Sequence, residues 1–197
     1  MSELLDIVDE EGRPTGETVD REVAHRYGIR HRTSHVWLVR KGPTRALEVL
    51  LQKRAAGKDA FPGCWDISSA GHIPAGDDWA PSALRELREE LGVEAKPEDL
   101  HCIGKHKVES DGVFHGRPFH NRQVSAVFVL PLDQPESQFV LQASEIEAVR
   151  WMNIDECIRA VENETIPNCI SVAELLWIKS VILAGTKYDV LRHVRVS

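Results

Sequence analysis

Glu86, Glu89 and Glu90 stand at i, i+3 and i+4 in the run Arg85-Glu86-Leu87-Arg88-Glu89-Glu90, a spacing that puts three carboxylates on one side of a helix. Like charges so placed repel by about 0.2–0.5 kcal/mol per pair. A divalent cation reverses that cost. Hard ions such as magnesium take oxygen ligands, keep several waters, and bind through one or two carboxylates together with substrate phosphates. The chemistry open to such a cluster is metal-assisted attack on a phosphate. The plainer reading is a solvated helix face on which Arg85 and Arg88 pair the acids.

The elements that would position these carboxylates can be read around them. Pro81 suits a first helical turn and Gly92 a position just past the helix end. Ala80, Leu84, Leu87 and Leu91 recur at steps of four, three and four, one stripe that can be buried while the glutamates project from another face. Gly71 and Asp77 lie in the segment leading into the helix.

The whole stretch from Gly71 to Val93 resembles the Nudix box, G-x5-E-x7-R-E-U-x-E-E-x-G-U with U a bulky aliphatic residue. Gly71, Arg85, Glu86, Leu87, Glu89, Glu90, Gly92 and Val93 match it, and Asp77 stands where the pattern has Glu. The resemblance implies an α+β fold, a Nudix-type α/β/α sandwich with a mixed β-sheet. It also implies a magnesium cofactor, with manganese as the substitute, held by Glu86, Glu89, Glu90 and the Gly71 carbonyl.

Composition sets the frame. The 197 residues are 42% hydrophobic and 28% charged, ordinary for one globular domain over 1–197. A net charge of −7 argues against a surface for nucleic-acid polymers. Cys64, Cys102, Cys157 and Cys169 show no paired spacing and read as reduced thiols. The start, MSELLDIVDEEG, lacks the basic flank and apolar run of a signal peptide, and Glu174 and Lys179 interrupt the most apolar C-terminal stretch. The expectation is a cytoplasmic protein that does not enter a membrane.

Along the chain, residues 4–20 predict a hairpin turning at Asp9-Glu10-Glu11-Gly12, followed by a polar stretch over 20–32 that carries His25 and His31. Residues 34–40 and 46–52 predict strands. Arg54 and Lys58 precede the Phe61-Pro62-Gly63 turn into a short strand ending near Ala70, where Trp65 reads as a packing residue. Residues 100–109 predict an extended segment with a hairpin turn at Ser110-Asp111-Gly112, and residues 123–132 a strand. His101, His106, His115 and His120 lack paired ligand spacing, which argues against a transition-metal site. Helices are predicted over 154–162 and 170–183, the C-terminal helices together ending near residue 185.

The function expected is cleavage of a diphosphate bond in a nucleoside diphosphate-linked or related small molecule. Glu86 and Glu89 are the carboxylates closest to the chemistry, with Arg85 orienting one of them by an ion pair. Arg54, Lys58 and His72 are the candidate substrate-binding residues. The resemblance implies a further ligand or base from the segment ahead of the Trp151 strand, which gives Glu145 and Glu147, and it makes a homodimer an expectation. It extends beyond the box to Asp9–Gly16, His25, His31, FPGCWD and SSAGH, which look like the Nudix branch that includes isopentenyl diphosphate isomerase, so that activity is the alternative. The isomerase pattern has a cysteine where this chain has Ala70, and a glutamate in a segment that aligns with His120-Asn121-Arg122-Gln123. A catalytically silent ligand sensor is the third reading, opposed by the intact glutamates.

Overall fold

The computed structural model describes residues 3–58, 60–114 and 116–184. An N-terminal hairpin, β1 (Leu4–Val8) and β2 (Pro14–Asp20), leads into a short helix α1 (Arg21–Tyr27). Asp20 accepts from the Glu22 amide, and Gly28 closes the helix at φ +66°. This helix lies in the stretch that sequence reading left without structure; its markers were the Asp cap and the Gly stop eight residues apart. Leu5, Val19 and Ala24 pack the hairpin against it.

The main sheet is built from β3 (His31–Lys41), β4 (Leu47–Arg54), β5 (Trp65–Asp66), β6 (Ser69–His72), β7 (His101–Phe114), β8 (Arg117–Pro131) and β9 (Ile146–Asn153). Its path runs β5-β4-β3-β8-β7, with β6 paired to β3 and β9 to β4. The β3–β8 pair is parallel and the other pairs are antiparallel. The short strand predicted to end near Ala70 is thus two strands on two different neighbours. Ser68 sits at the break, donating its hydroxyl to the Leu50 carbonyl and accepting from the Leu38 amide.

Strand alternation sends side chains to both faces, which is why these strands are apolar on both sides. Val36, Leu38, Leu50, Ala126 and Phe128 meet helix α2 (Trp79–Leu91) through Ala83, Leu87 and Leu91. Trp37, Val39, Val49, Leu51, Val127 and Val129 meet α3 (Ile154–Glu162) and α4 (Val172–Leu183) on the other face. The result is an α/β/α sandwich. Ala80 and Leu84 flank the α2 stripe and are only partly buried. Helix α4 keeps Leu176 and Leu183 exposed, so it is less amphipathic than its sequence suggested.

The predicted turn at Ser110-Asp111-Gly112 is not a turn. These residues continue β7, paired with Asn121, His120 and Phe119, and the chain reverses between Phe114 and Arg117. Asp111 is held across the strand pair by His120 and Arg122, and Gly116, at φ +73°, supplies the left-handed residue that the reversal needs. His115 and residue 185 lie outside the described residues.

Candidate active site

Helix α2 starts at Asp78, whose side chain accepts from the Trp79 amide, and ends at Gly92, φ +67°, whose amide reaches the Arg88 carbonyl. Between these caps the apolar stripe fixes the helix rotation on the sheet. That rotation decides where the glutamates go. Glu86 is half-buried against β6, Glu90 is buried and Glu89 is exposed, and all three line one cleft of about 940 Å³.

Each carboxylate has a different environment. Glu86 accepts from Arg85 Nη2 at 2.9 Å, and Arg85 Nη1 reaches Asp77 at 3.1 Å, so the arginine bridges the loop acid to the helix acid. Burial raises the Glu86 pKa although Arg85 opposes it. Glu90 accepts from the Ser69 hydroxyl at 2.8 Å. Burial pushes its pKa up to about 8, aided by the charges of Glu86 and Glu145 and opposed by Ser69 and Lys58. A buried carboxylate this hard to ionise gains most from a nearby cation. No hydrogen bond or close ion pair holds Glu89 among the described residues. Gly71 in β6 passes directly beneath Glu86, so that a Cβ there would lie 2.5 Å from Glu86 Cγ. These oxygen donors fit a hard divalent ion.

Of the other predicted residues, Glu145 lines the cleft and pairs with Lys58, which also lines it. Arg54 lines the cleft with its guanidinium held by Asp66 at 3.0 Å and by the Ala60 carbonyl at 3.1 Å. Glu147 goes elsewhere: it pairs with Lys53 at 2.7 Å on the exposed surface, because the step from Glu145 into β9 turns it away from the cleft. Trp65 packs in the core beneath the Arg150 guanidinium, as a packing residue should.

His72 joins a cluster that sequence reading did not assemble. Its Nε2 lies 3.1 Å from His25 Nε2, and the His31 ring is 5.0 Å from that of His25 and 5.2 Å from that of His72. His31 Nδ1 donates to the Ile29 carbonyl, which leaves its Nε2 lone pair facing the cluster. Burial lowers all three pKa values, that of His25 to about 3, so the rings are neutral at pH 7. The donor atoms lie close enough together to hold a metal ion. Phe119 stacks on His25 and meets Phe114, which meets Phe61, an aromatic wall along the cleft.

A second mixed cluster joins His35, His106 and Glu174. Burial alone would raise the Glu174 pKa, but the His35 charge, the close contact from His106 and the hydrogen bonds from His35 and Trp37 outweigh it and hold the carboxyl far below its usual range. Neither cluster shows in ligand spacing, because its members come from separate elements. The available hint was on β3, where His31 and His35, four residues apart, share a face.

Comparison with known proteins agrees with this geometry. The family model described as NUDIX domain matches residues 29–169. The chain is 38% identical over 158 residues to Nudix hydrolase 3 of Arabidopsis thaliana, covering 78% of this chain and 20% of that much longer protein. An uncharacterized Nudix hydrolase of Clostridium acetobutylicum is 36% identical over 162 residues, covering 82% and 75% of the two chains. An isopentenyl-diphosphate Delta-isomerase of Ruegeria pomeroyi is 29% identical over 145 residues, covering 73% and 74%. A crystal structure from Deinococcus radiodurans shares the fold at a TM-score of 0.65 and 19% identity, covering 90% of this chain and 98% of that one.

Proposed function

Since the chain belongs to the Nudix family, we propose that it is a magnesium-dependent pyrophosphohydrolase that cleaves a phosphoanhydride bond in a nucleoside diphosphate-linked or related small molecule. One observation carries this reading: Glu86, Glu89 and Glu90 line one cleft, in which Glu86 rests against the backbone of Gly71.

Glu86, Glu89, Glu90 and the Gly71 carbonyl would hold magnesium, or manganese in its place. When bound, the ion supplies Lewis-acid polarisation of the diphosphate and lowers the pKa of water. The chain's own residues prepare the rest. Arg85 fixes Glu86 in place, and Ser69 fixes Glu90. Glu89, free of hydrogen bonds among the described residues, and Glu145 are the two carboxylates suited to take the proton from the attacking water. Lys58 and Arg54 supply positive charge to the phosphates from the cleft wall. Phe61, Phe114 and Phe119 offer flat apolar surface to the group that the diphosphate carries.

A second reading, isomerisation of isopentenyl diphosphate to its dimethylallyl isomer, is favoured by the His25–His31–His72 cluster. It is opposed by two positions. Ala70 has no proton to give, and the residue approaching His31 from β8 is Gln123, at 3.5 Å, where a carboxylate would be required. A screen of phosphate release from nucleoside diphosphate sugars, dinucleoside polyphosphates, nucleoside triphosphates and prenyl diphosphates, run beside an assay for the dimethylallyl isomer, tests both. Magnesium-dependent release from one class without isomer supports the hydrolase. Isomer formed above a Glu90→Gln control, or no release from any class, overturns it.

A further inference from the structure

Glu174 is 2% exposed, deep in the fold, yet its carboxylate borders the cleft. The Trp37 indole donates to Oε1 at 2.6 Å. The other oxygen, Oε2, lies 3.0 Å from His35 Nδ1 and 2.7 Å from His106 Nε2. These groups come from β3, β7 and α4, so only the assembled sheet and the last helix bring them together.

A polar core network explains part of this arrangement. Trp37 and His35 each make a sound hydrogen bond to Glu174, and a buried carboxylate needs such donors. His106 fits that account only in part, because it helps hold Glu174 ionised but not through an aligned hydrogen bond. Its Nε2 is buried and lacks an aligned hydrogen bond to any protein group, although the Glu174 oxygen is only 2.7 Å away. Two ring nitrogens and a carboxylate oxygen, all within 4.8 Å of one another, are close enough to hold one metal ion.

The donor set selects the ion. Two imidazoles and one carboxylate are ligands for zinc and similar transition ions, and three protein ligands leave a position open to solvent or substrate. The oxygen ligands around Glu86 suit magnesium instead. Trp37 also plays the part of an outer partner, fixing the Glu174 oxygen that faces away from His106.

We propose that His35, His106 and Glu174 form a second cation site, for a zinc-class divalent ion, on the same cleft as the glutamate cluster. The site is independent of the hydrolase reading, because none of its residues belongs to the glutamate cluster.

Cobalt(II) is the probe, since its visible absorption reports tetrahedral coordination. The full chain is stripped with chelator, and a His25→Ala/His72→Ala background removes the histidine trio. That protein should bind one cobalt per chain with tetrahedral bands. Adding His106→Ala should abolish the bands and weaken binding by more than the about 10–100-fold that loss of an outer partner costs. Adding Glu89→Gln should change neither. Absence of stoichiometric cobalt in the background protein, or binding indifferent to His106→Ala, overturns the proposal. If the double variant does not fold, zinc per chain after equilibrium dialysis decides: one fewer in His106→Ala than in the unsubstituted protein supports the site, and an equal count overturns it. His106 lies on the edge strand β7, and circular dichroism checks that its removal leaves the sheet intact.

Discussion

The Cβ that Gly71 lacks would lie 2.5 Å from Cγ and 2.6 Å from Cδ of Glu86. Strand β6 and helix α2 are therefore placed such that the Glu86 carboxylate rests directly on the backbone of Gly71. Gly71→Ala would push Glu86 aside without touching the apolar stripe of α2. We expect magnesium-dependent turnover to fall at least about 10-fold while the thermal melting temperature changes little. Unchanged turnover in Gly71→Ala would show that the contact has no part in ion binding.

Glu89→Gln and Glu90→Gln should each lower turnover by about two orders of magnitude or more while the fold persists. The two differ in what else they disturb. Glu89 is exposed, so its loss should be visible in kinetics alone. Glu90 is buried and hydrogen-bonded to Ser69, and Gln keeps that acceptor. Steady-state kinetics over a magnesium series would check both, and full activity in both would remove the glutamate cluster from the mechanism.

Asp77→Glu should be tolerated, with turnover within a few-fold of the unsubstituted protein. Asp77 holds Arg85 across a half-exposed pair at 3.1 Å, and a longer acid can still reach the guanidinium. Such an exposed pair is worth little energetically. Total loss of activity in Asp77→Glu would mean that the shorter carboxylate has a direct role of its own.

The histidine trio makes stability depend on pH. Burial holds the His25 pKa near 3 in the folded chain, below the usual histidine value of 6.5. Between those values the unfolded chain takes up the proton and the folded chain does not, so protons favour unfolding. The stability that a neutral His25 contributes is present above about pH 6.5 and is lost as the pH falls toward 3. In chelator, the melting temperature should fall between pH 7.5 and pH 5, and fall less in His25→Gln. Parallel curves for the two proteins would refute the assignment.

Local sequence rules were enough to read the glutamate helix and its surroundings. Residues three and four apart on a helix must share a side, so Glu86, Glu89 and Glu90 were readable as a group, as were the glycine stop and the layered α+β fold. Local rules reached as far as strands β1, β2, β3, β4, β8 and β9 and helices α3 and α4, because each carries its own periodicity or apolar run. They failed at Ser110-Asp111-Gly112, where turn-forming residues are held straight by cross-strand pairing to β8.

Tertiary structure alone decided which residues meet across elements. His25 and His72 are 47 residues apart, and His35 and Glu174 are 139 apart, so no spacing rule could join them. The parallel β3–β8 pair and the packing of α4 on the sheet create those neighbourhoods. The same packing sends Glu145 into the cleft and Glu147, two residues on, to Lys53 at the surface. Sequence supplies the ligands and bases; only the fold, by burying some faces and exposing others, selects those that can act together.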